Sequence, residues 1–403
     1  MLSVAEALAA VLHHAKPLPA SSVDLATLPL GQVLAESIAS DIDSPPYTKS
    51  LMDGYAVRSV DCAHLSIVLN IVEEIAAGKM PTLPVPPQGA SRIMTGAPIP
   101  DGADTVVMIE RTEAVSPSQV RITTAVKPWQ NILERGKEMK AGEIILQPGS
   151  VLGPQEIGLL AAVGRTSVKL YPKPRVTVLP TGDEIVEPGN KPGPGQIRNS
   201  NGPMLLAQTM RAGGIPRYVG IGRDTAESLR SLIRDGLAGS DVLILSGGVS
   251  AGKFDLVPGV LQELGVVSRF HKVLIKPGKP LFFGTLGEGA KLVFGLPGNP
   301  VASFVCFELF IRSALRKMSG HADPGPHQMK LPIADDFAAT NDRPTYWPAR
   351  IENSQDGSRV RPLPWFGSAD LRALHTANAL LAIPSGEHRY TIDQDVPVIL
   401  LDA

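Results

Sequence analysis

Hydrophobic and polar positions divide the chain into regions of different periodicity. Apolar residues recur at helical spacing over residues 2–14, and two prolines at 17 and 19 then end the pattern, which predicts a short opening helix. From residue 42 to residue 138 the pattern changes to short alternating stretches, such as 66–75 and 105–110, that are interrupted by prolines. This second region predicts a small β-rich domain.

The segment after this β-rich region resembles the start of the chain more than it resembles the β-rich region in its pattern of predicted elements. Residues 142–170 read as a short strand, a helix over 154–163 that starts with proline, and another short strand. We therefore expect the β-rich region to be inserted into a domain made from two separate segments.

A repeated alternation of strand and helix begins at Pro174. It predicts an α/β domain with a largely parallel sheet. The expected strands are 175–179, 217–221, 241–245 and 292–294, and the expected helices are 204–212, 226–237, 256–264 and 300–318. After a linker near residue 322, short strands at 350–352, 359–361 and 396–401 predict a small terminal β barrel or sandwich.

Composition and charge exclude several classes of protein. A length of 403 residues predicts two to four domains, and 38 Lys+Arg against 39 Asp+Glu leave no basic field for nucleic acid. No apolar run reaches the roughly 18 residues of a membrane span, so we expect a cytoplasmic protein without membrane or nucleic-acid partners. Cys62 and Cys306 stand apart and the histidines form no ligand motif, which argues against a disulfide framework or a transition-metal cage.

Three glycine-bearing loops follow predicted strands of the α/β domain. In an open α/β sheet such loops meet at the carboxyl edge, where backbone N–H groups bind phosphates. The loops are 181–184 (TGDE), 246–252 (SGGVSAG) and 295–300 (GLPGNP). Each loop alone is more often an ordinary turn, but the three together on one edge favour a phosphate-bearing ligand. A P-loop is disfavoured because Phe254 stands where the motif GxxxxGK over 247–253 requires Ser or Thr.

Charged side chains flank these loops. Pro277 and Pro280 restrict the backbone around Lys276 and Lys279, which predicts either a phosphate clamp or a solvated basic turn. Acids lie in or next to glycine-bearing turns and strand ends, where oxygen ligands for Mg²⁺ are common. They are Asp53, Asp183, Glu184, Asp224 and Asp255. The alternative for each is a turn or a helix cap, as for Asp183 in its turn and Asp255 before the helix at Leu256.

Seven motifs in order along the chain resemble the molybdopterin molybdenumtransferase family, whose relatives include the gephyrin E domain. They are 52–58 (MDGYAVR), 92–98 (RIMTGAP), 181–184 (TGDE), 200–204 (SNGPM), 246–252 (SGGVSAG), 276–280 (KPGKP) and 295–300 (GLPGNP). The resemblance implies insertion of molybdate into adenylylated molybdopterin, with Mg²⁺ and release of AMP. It also implies that the dithiolene of the pterin holds molybdenum, which agrees with the absence of a Cys or His cage.

The resemblance also implies a domain organisation and an assembly. The expected domains are a discontinuous linker and dimerisation domain (1–42 and 139–172), an inserted β-rich domain (43–138), an α/β molybdopterin-binding domain (173–322) and a C-terminal β-barrel domain (323–403). Family members form an elongated homodimer in which the β-rich domain of one subunit completes the cleft of the other. Other proteins of molybdenum cofactor biosynthesis are further possible partners.

Residue roles follow from the resemblance position by position. Substrate binding is expected from Thr181, Gly182, Asp183, Ser246, Gly247, Gly248, Ser250, Lys276, Lys279, Pro297, Pro300 and Ser368. Catalytic roles are expected for Asp53, Thr95, Glu184 and Asp255, with Asp53 and Thr95 at the molybdate end. Glu184, Asp224 and Asp255 are the expected Mg²⁺ ligands. A plain helix cap is the alternative for Ser368.

Two other functions stay open at the level of sequence. One is a molybdopterin-binding scaffold or carrier without transfer activity, and the other is a nucleotide hydrolase that shares only the α/β domain. The 52–58 and 92–98 motifs lie outside that domain and favour the transferase over the hydrolase. Lys253 and Thr225 stand where relatives often carry an acid. The sequence does not distinguish molybdate from tungstate.

Overall fold

The structure is a computed structural model that describes residues 1–27, 30–248, 256–287, 289–355 and 357–401. The predicted site residues Ser250 and Asp255 lie outside these ranges. The chain forms two compact units that alternate along the sequence. The first comprises Met1–Glu36, Pro148–Gln155 and Ser167–Ala403, and the second comprises Ser37–Gln147 and Glu156–Thr166. The second unit contains the predicted β-rich region, and the boundaries of the four expected domains stay a prediction.

The described residues form helices and strands with the following bounds. The α-helices are α1 (Val4–His14), α2 (Pro154–Ala162), α3 (Asn201–Arg211), α4 (Ala226–Ala238), α5 (Val257–Glu263), α6 (Pro300–Cys306) and α7 (Arg312–Met318). The strands are β1 (Ser21–Asp24), β2 (Ile38–Ala39), β3 (Lys49–Ser50), β4 (Gly54–Val57), β5 (Ile67–Ile75), β6 (Gly89–Ile93), β7 (Thr105–Met108), β8 (Thr112–Ser116), β9 (Gln119–Ile122), β10 (Ile132–Leu133), β11 (Ile144–Leu146), β12 (Ser167–Leu170), β13 (Arg175–Pro180), β14 (Ile185–Val186), β15 (Ile197–Arg198), β16 (Ile215–Tyr218), β17 (Val242–Ser246), β18 (Val267–His271), β19 (Phe282–Leu286), β20 (Lys291–Leu296), β21 (Gln328–Pro332), β22 (Phe337–Asn341), β23 (Thr345–Ser354), β24 (Gly357–Pro362), β25 (Ala379–Ile383), β26 (Gly386–Tyr390) and β27 (Asp395–Leu400).

The second unit is built on a six-stranded sheet with the order β7-β4-β6-β5-β9-β8. Its strand β4 is buried along its whole length. At the start of β4, a Cβ on Gly54 would lie 1.9 Å from the Val107 carbonyl oxygen, so only glycine admits this close approach. The first residues of the 52–58 motif therefore precede a buried central strand.

The α/β region of the first unit has a six-stranded sheet with the order β16-β13-β17-β20-β19-β18. The first four strands are parallel, and β19 is antiparallel to both of its neighbours, β20 and β18. Side chains of β17 alternate between two cores: Val242 and Ile244 pack with α1, α3, α6 and α7, while Leu243 and Leu245 pack with α4 and α5. Burial on both faces explains why this strand reads as a continuous apolar run.

The terminal region is a five-stranded antiparallel sheet with the order β21-β27-β25-β23-β24, accompanied by the pair β22–β26. Its core contains Ile333, Val360, Leu381 and Val398, all of which are fully buried. The predicted fold class, a largely parallel α/β sheet combined with β-rich domains, is confirmed.

Local differences from the sequence predictions have physical reasons. Helix α3 begins at Asn201, one turn earlier than predicted, because its first turn is polar and contains Pro203, which is tolerated only near a helix start. The sequence pattern does not predict β18 or β19, because β18 is an edge strand that mixes exposed polar and apolar residues and β19 is a short run interrupted by Gly284. Within the described ranges, no helix is long and apolar enough to cross a membrane.

Candidate functional site

The parallel sheet brings the three glycine-bearing loops together. The loops after β13, β17 and β20 leave the same edge because these strands are parallel neighbours. Thr181 N donates to the Ser246 carbonyl at 2.8 Å, and Gly247 N donates to the Leu296 carbonyl at 3.1 Å. The predicted loop cluster at the carboxyl edge of the sheet is therefore present in the structure.

A cavity of about 390 Å³ opens among these loops. We call it the amide cavity, defined by Thr181, Asn201, Ser246 and Gly298. The predicted site residues that line it are Thr181, Glu184, Ser246, Gly247, Gly248, Pro297 and Pro300. Among the described lining residues, Glu184 and Arg198 carry the only charges, and they are of opposite sign.

Gly247 allows two loops to pack against each other. Its φ is +96°, and a Cβ there would lie 2.4 Å from the Thr181 carbonyl oxygen. A larger residue would suffer both backbone strain and a steric overlap. The glycine predicted to approach an anion thus also maintains the contact between the loops.

A polar network lies beneath the amide cavity. The Asn201 Nδ2 donates to Ser246 Oγ and to the Gly298 carbonyl, each at 2.7 Å. Ser246 Oγ lies 3.4 Å from Ser303 Oγ, which donates to the Pro297 carbonyl at 2.5 Å. Asn201 Oδ1 and Thr181 Oγ1 are buried and have no hydrogen-bond partner in the described structure. The predicted substrate contact Ser246 thus supports Asn201.

The predicted acids next to this cavity have different surroundings. Asp183 Oδ1 accepts from Asp224 N at 3.2 Å, so the Asp183 side chain caps the adjoining loop. Arg223 Nη1 lies 3.3 Å from the carbonyls of Gly182, Asp183 and Ile185, which holds that turn. All three acids are exposed, but of the three only Glu184 lines the amide cavity. The part of the chain that the structure describes has no group of three or more metal-ligating side chains.

A second cavity, of about 600 Å³, adjoins the first and shares Pro280, Pro297 and Asn299 with it. We call it the lysine cavity, defined by Lys276, Lys279 and Arg343. These are the only charged side chains among its described lining residues, and aromatic rings form another part of its wall. The predicted clamp residues Lys276 and Lys279 therefore share this cavity with the 295–300 loop, whereas the described residues of the other two glycine-bearing loops line only the amide cavity.

Backbone contacts with the terminal sheet hold one side of the lysine cavity. Lys276 N donates to the Pro344 carbonyl, and Tyr346 N donates to the Lys276 carbonyl, each at 2.8 Å. Arg343 Nε lies 3.1 Å from Asp342 Oδ2, so a neighbouring carboxylate offsets part of its charge. The cavity is thus formed jointly by the α/β region and the terminal sheet.

The predicted residue Ser368 joins the terminal region to the loop after β20. Its Oγ accepts from Asn299 Nδ2 at 2.8 Å, and its carbonyl accepts from Val301 N at 3.0 Å. The preceding Phe366 is 92% exposed at the lysine cavity. Ser368 therefore anchors a cavity loop, while the following short 3₁₀ helix has Asp370 at its N-cap.

Asp53 and Thr95 lie together in the second unit. Thr95 N and Thr95 Oγ1 donate to Asp53 Oδ1 at 2.7 and 2.8 Å. These two hydrogen bonds hold the pKa of the Asp53 carboxyl below its usual range. The pair is an exposed, preorganised carboxylate that remains ionised at neutral pH.

Sequence reasoning missed Asn201, Arg343 and Trp365 as cavity residues. The sequence does contain a signal for Asn201 as a cavity residue. Asn201 belongs to the 200–204 motif, and it lies at the start of a helix that follows a sheet edge. Arg343 and Trp365 come from the terminal region, and local sequence carries no signal that these residues meet Lys276 and Lys279. Only the packing of the terminal region against the α/β region brings these residues together.

Family models match most of the chain. They are the MoeA N-terminal region (domain I and II) over residues 2–164, a probable molybdopterin binding domain over 177–317, and the MoeA C-terminal region (domain IV) over 330–401. The three matches follow one another along the chain without overlap.

Full-length relatives agree with these matches. The chain is 33% identical over 409 residues to a molybdopterin molybdenumtransferase of Staphylococcus aureus, covering 100% of this chain and 96% of the relative. It is 34% identical to one of Staphylococcus epidermidis, covering 93% and 90%. The crystal structure of a molybdopterin biosynthesis MoeA protein from Pyrococcus horikoshii OT3 matches with a TM-score of 0.84 and 28% identity, over 99% of this chain and 100% of the other.

Proposed function

Because the chain belongs to the molybdopterin molybdenumtransferase family, we propose that it inserts molybdate into adenylylated molybdopterin and releases AMP. The observation that carries this proposal is the pair of adjoining cavities of opposite character. A substrate with flat rings, a phosphoanhydride and an incoming oxyanion requires both neutral and cationic surfaces. A nucleotide hydrolase that shares only the α/β domain leaves the 52–58 and 92–98 motifs without a role.

The lysine cavity is the proposed location of the oxyanion. Lys276, Lys279 and Arg343 bring three cationic groups to one concave surface that has no acid among its described lining residues. Hydrogen bonds from cationic groups to oxyanions are shorter and stronger than neutral ones. These residues would bind the molybdate, orient the phosphate oxygens and stabilise negative charge as the phosphoanhydride breaks.

We propose Glu184 and Asp224 as ligands of Mg²⁺, which proteins usually hold with one or two carboxylates together with substrate phosphates. Asp183 and Asp224 lie on adjoining loops, joined by the 3.2 Å hydrogen bond. When bound, Mg²⁺ would offset the charge of the phosphate oxygens. Glu184 is exposed at the amide cavity, where its carboxylate is available to hold the metal or a proton. Asp255 is retained as a further proposed ligand and Ser250 as a substrate contact.

Asp53 and Thr95 are proposed to organise the molybdate end of the substrate. Two hydrogen bonds fix Asp53 Oδ1 in one orientation. Following the family resemblance, we propose that the pair completes the site of a second subunit in a homodimer. We also propose that this assembly works in the cytoplasm with other enzymes of cofactor biosynthesis.

AMP release and molybdenum incorporation from adenylylated molybdopterin, with Mg²⁺ and with or without molybdate, test the function. We expect AMP release that depends on molybdate, with metal retained by the pterin. Binding without release would instead indicate a scaffold or carrier. Release that is independent of molybdate would indicate a hydrolase, and either result would contradict the transferase.

A further inference from the structure

The two charged residues in the described lining of the amide cavity belong to one small element. Glu184 immediately precedes β14 and Arg198 ends β15, and these two strands form a sheet of their own. We call β14 and β15 the rim pair. Ile197 N donates to the Glu184 carbonyl at 2.8 Å, and Asn199 N donates to the Val186 carbonyl at the same distance. Because two such short strands are not stable alone, contacts with the rest of the molecule must hold the rim pair in place.

One of these contacts runs through the side chain of Asn199, which is buried directly after β15. Its Oδ1 accepts from Gly202 N at 2.9 Å. A backbone N–H only donates, so the orientation of the amide is fixed, and Asn199 Nδ2 donates to the Tyr218 hydroxyl at 3.1 Å. The end of β15 is therefore joined to the first turn of α3 and to the last residue of β16.

Tyr218 continues this chain of hydrogen bonds to the other strand of the rim pair. Its hydroxyl donates to Glu187 Oε1 at 2.7 Å, and Glu187 directly follows β14. Burial and the Glu187 carboxylate raise the pKa of Tyr218 above its usual value, so the hydroxyl keeps the proton that it donates. The chain therefore has a fixed direction, from Asn199 through Tyr218 to Glu187.

The start of β14 has a separate attachment. Arg223 Nη1 lies 3.3 Å from the carbonyls of Gly182 and Ile185, which flank Glu184 in the chain. Strand β16, which carries Tyr218, pairs in parallel with β13 of the main sheet. Arg223 thus holds the backbone around Glu184, and Tyr218 joins the far ends of both rim strands to the sheet.

From this arrangement we propose that Tyr218 is a positioning residue for Glu184. Tyr218 is not among the residues that line the amide cavity, so it acts through the rim pair. Loss of its hydroxyl leaves the buried Asn199 Nδ2 without an acceptor, and a buried donor without a partner favours local opening to water. The proposal deepens the proposed function and rests on it, since the role of Glu184 in turnover belongs to that function.

Hydrogen exchange of the full-length protein tests the attachment without any ligand. In Tyr218→Phe we expect the amides of Ile197 and Asn199 to exchange about tenfold faster, because one hydrogen-bonded attachment is lost, while the amides of β17 stay unchanged. Tyr390→Phe is the matched control, since it removes a phenolic hydroxyl from β26 in the terminal region, and it should change neither set of amides. Wild-type exchange at Ile197 and Asn199 in Tyr218→Phe would overturn the inference.

Two substitutions of Glu187 test the last hydrogen bond of the chain. Glu187→Gln keeps a side-chain oxygen that accepts from Tyr218, so the rim amides should exchange as in the wild-type protein. Glu187→Leu removes the acceptor and should accelerate the same amides. Combined with Tyr218→Phe, Glu187→Leu should add nothing, because both substitutions break the same contact. Additive effects in the double variant would contradict the inference.

A double-mutant cycle with Glu184→Gln tests whether Tyr218 acts through Glu184. Tyr218→Phe should lower kcat for AMP release about tenfold and leave KM for molybdate unchanged, because the rim pair does not line the lysine cavity. In a Glu184→Gln background the same substitution should have no further effect. A tenfold fall in both backgrounds would contradict the inference. If the wild-type protein releases no AMP, the proposed function fails, and the exchange result alone then decides whether Tyr218 holds the rim pair.

Discussion

The two adjoining cavities share one wall and differ in nearly every other property. The amide cavity is built from glycine loops and buried hydrogen bonds, and its described lining has one carboxylate and one guanidinium. The lysine cavity has three cationic side chains, aromatic rings and no acid in its described lining. The difference teaches that backbone geometry builds one cavity and side-chain charge the other, and under the proposed function this would separate binding of the rings from binding of the anion.

Glu184→Gln should produce the largest effect, because it removes the only acid among the described residues that line the amide cavity. We expect turnover to fall at least about 100-fold through loss of metal or proton handling, with unfolding unchanged because the side chain is exposed. Steady-state AMP release measures this. Glu263→Gln, which alters an exposed acid paired with Arg230, is the control. Wild-type turnover in Glu184→Gln would remove the residue from the mechanism.

Lys279→Ala tests the charge of the lysine cavity. Loss of one charge-assisted contact should weaken the binding of molybdate by about 10- to 100-fold. Calorimetric titration with molybdate measures the affinity. The control Lys330→Ala removes an exposed lysine of β21 and should have no effect. An unchanged molybdate affinity in Lys279→Ala would show that this cavity does not bind the oxyanion.

Gly247→Ala tests the backbone geometry of the amide cavity. The positive φ and the 2.4 Å approach to the Thr181 carbonyl should cost about 1–3 kcal/mol of unfolding free energy. Gly298→Ala is the matched control, because the nearest atom to its new Cβ is Gly247 Cα at 3.9 Å. Chemical denaturation compares the two variants. Equal stability would mean that the loops do not require this glycine.

The smallest expected effect comes from two neighbouring tryptophans of the lysine cavity. Trp347 Nε1 donates to the Leu363 carbonyl at 2.8 Å, whereas Trp365 Nε1 has no hydrogen-bond partner in the described structure. Their rings pack edge to face with centroids 5.0 Å apart. Trp347→Phe should lower the unfolding free energy by about 1 kcal/mol more than Trp365→Phe does. Urea unfolding of both variants checks this, and the reverse order would contradict the assigned hydrogen bonds.

The sequence predicted the parallel strands of the α/β sheet and the loops after them correctly, because local patterns of apolar and polar residues determine them. The alternation of strand and helix after Pro174 predicted a largely parallel sheet, and the loops after its strands could be placed at one edge. Sequence reasoning assigned Lys276 and Lys279 to the same phosphate site as the glycine loops, because residues near one sheet edge were expected to share a site. In the structure the lysines line the cavity next to the amide cavity, and the 295–300 loop lines both. A shared phosphate site stays a prediction.

The remaining part of the site depends on contacts that are distant in sequence. Arg343 and Trp365 reach the lysine cavity through the packing of the terminal sheet against the turn at Lys276. The role of Asn201 depends on the Gly298 carbonyl and Ser246, which come from two other loops. No local pattern encodes which of the amide atoms is left without a partner. Such assignments require the folded geometry.

The division of labour between the two cavities is the central claim, and a crossed binding experiment tests it most directly. The affinities for molybdate and for AMP are measured in the wild-type protein, Gly247→Ala and Lys279→Ala. We predict that Gly247→Ala weakens AMP binding more than molybdate binding, and that Lys279→Ala weakens molybdate binding more than AMP binding. If each substitution weakens both ligands equally, the cavities act as one undivided site and the claim is contradicted.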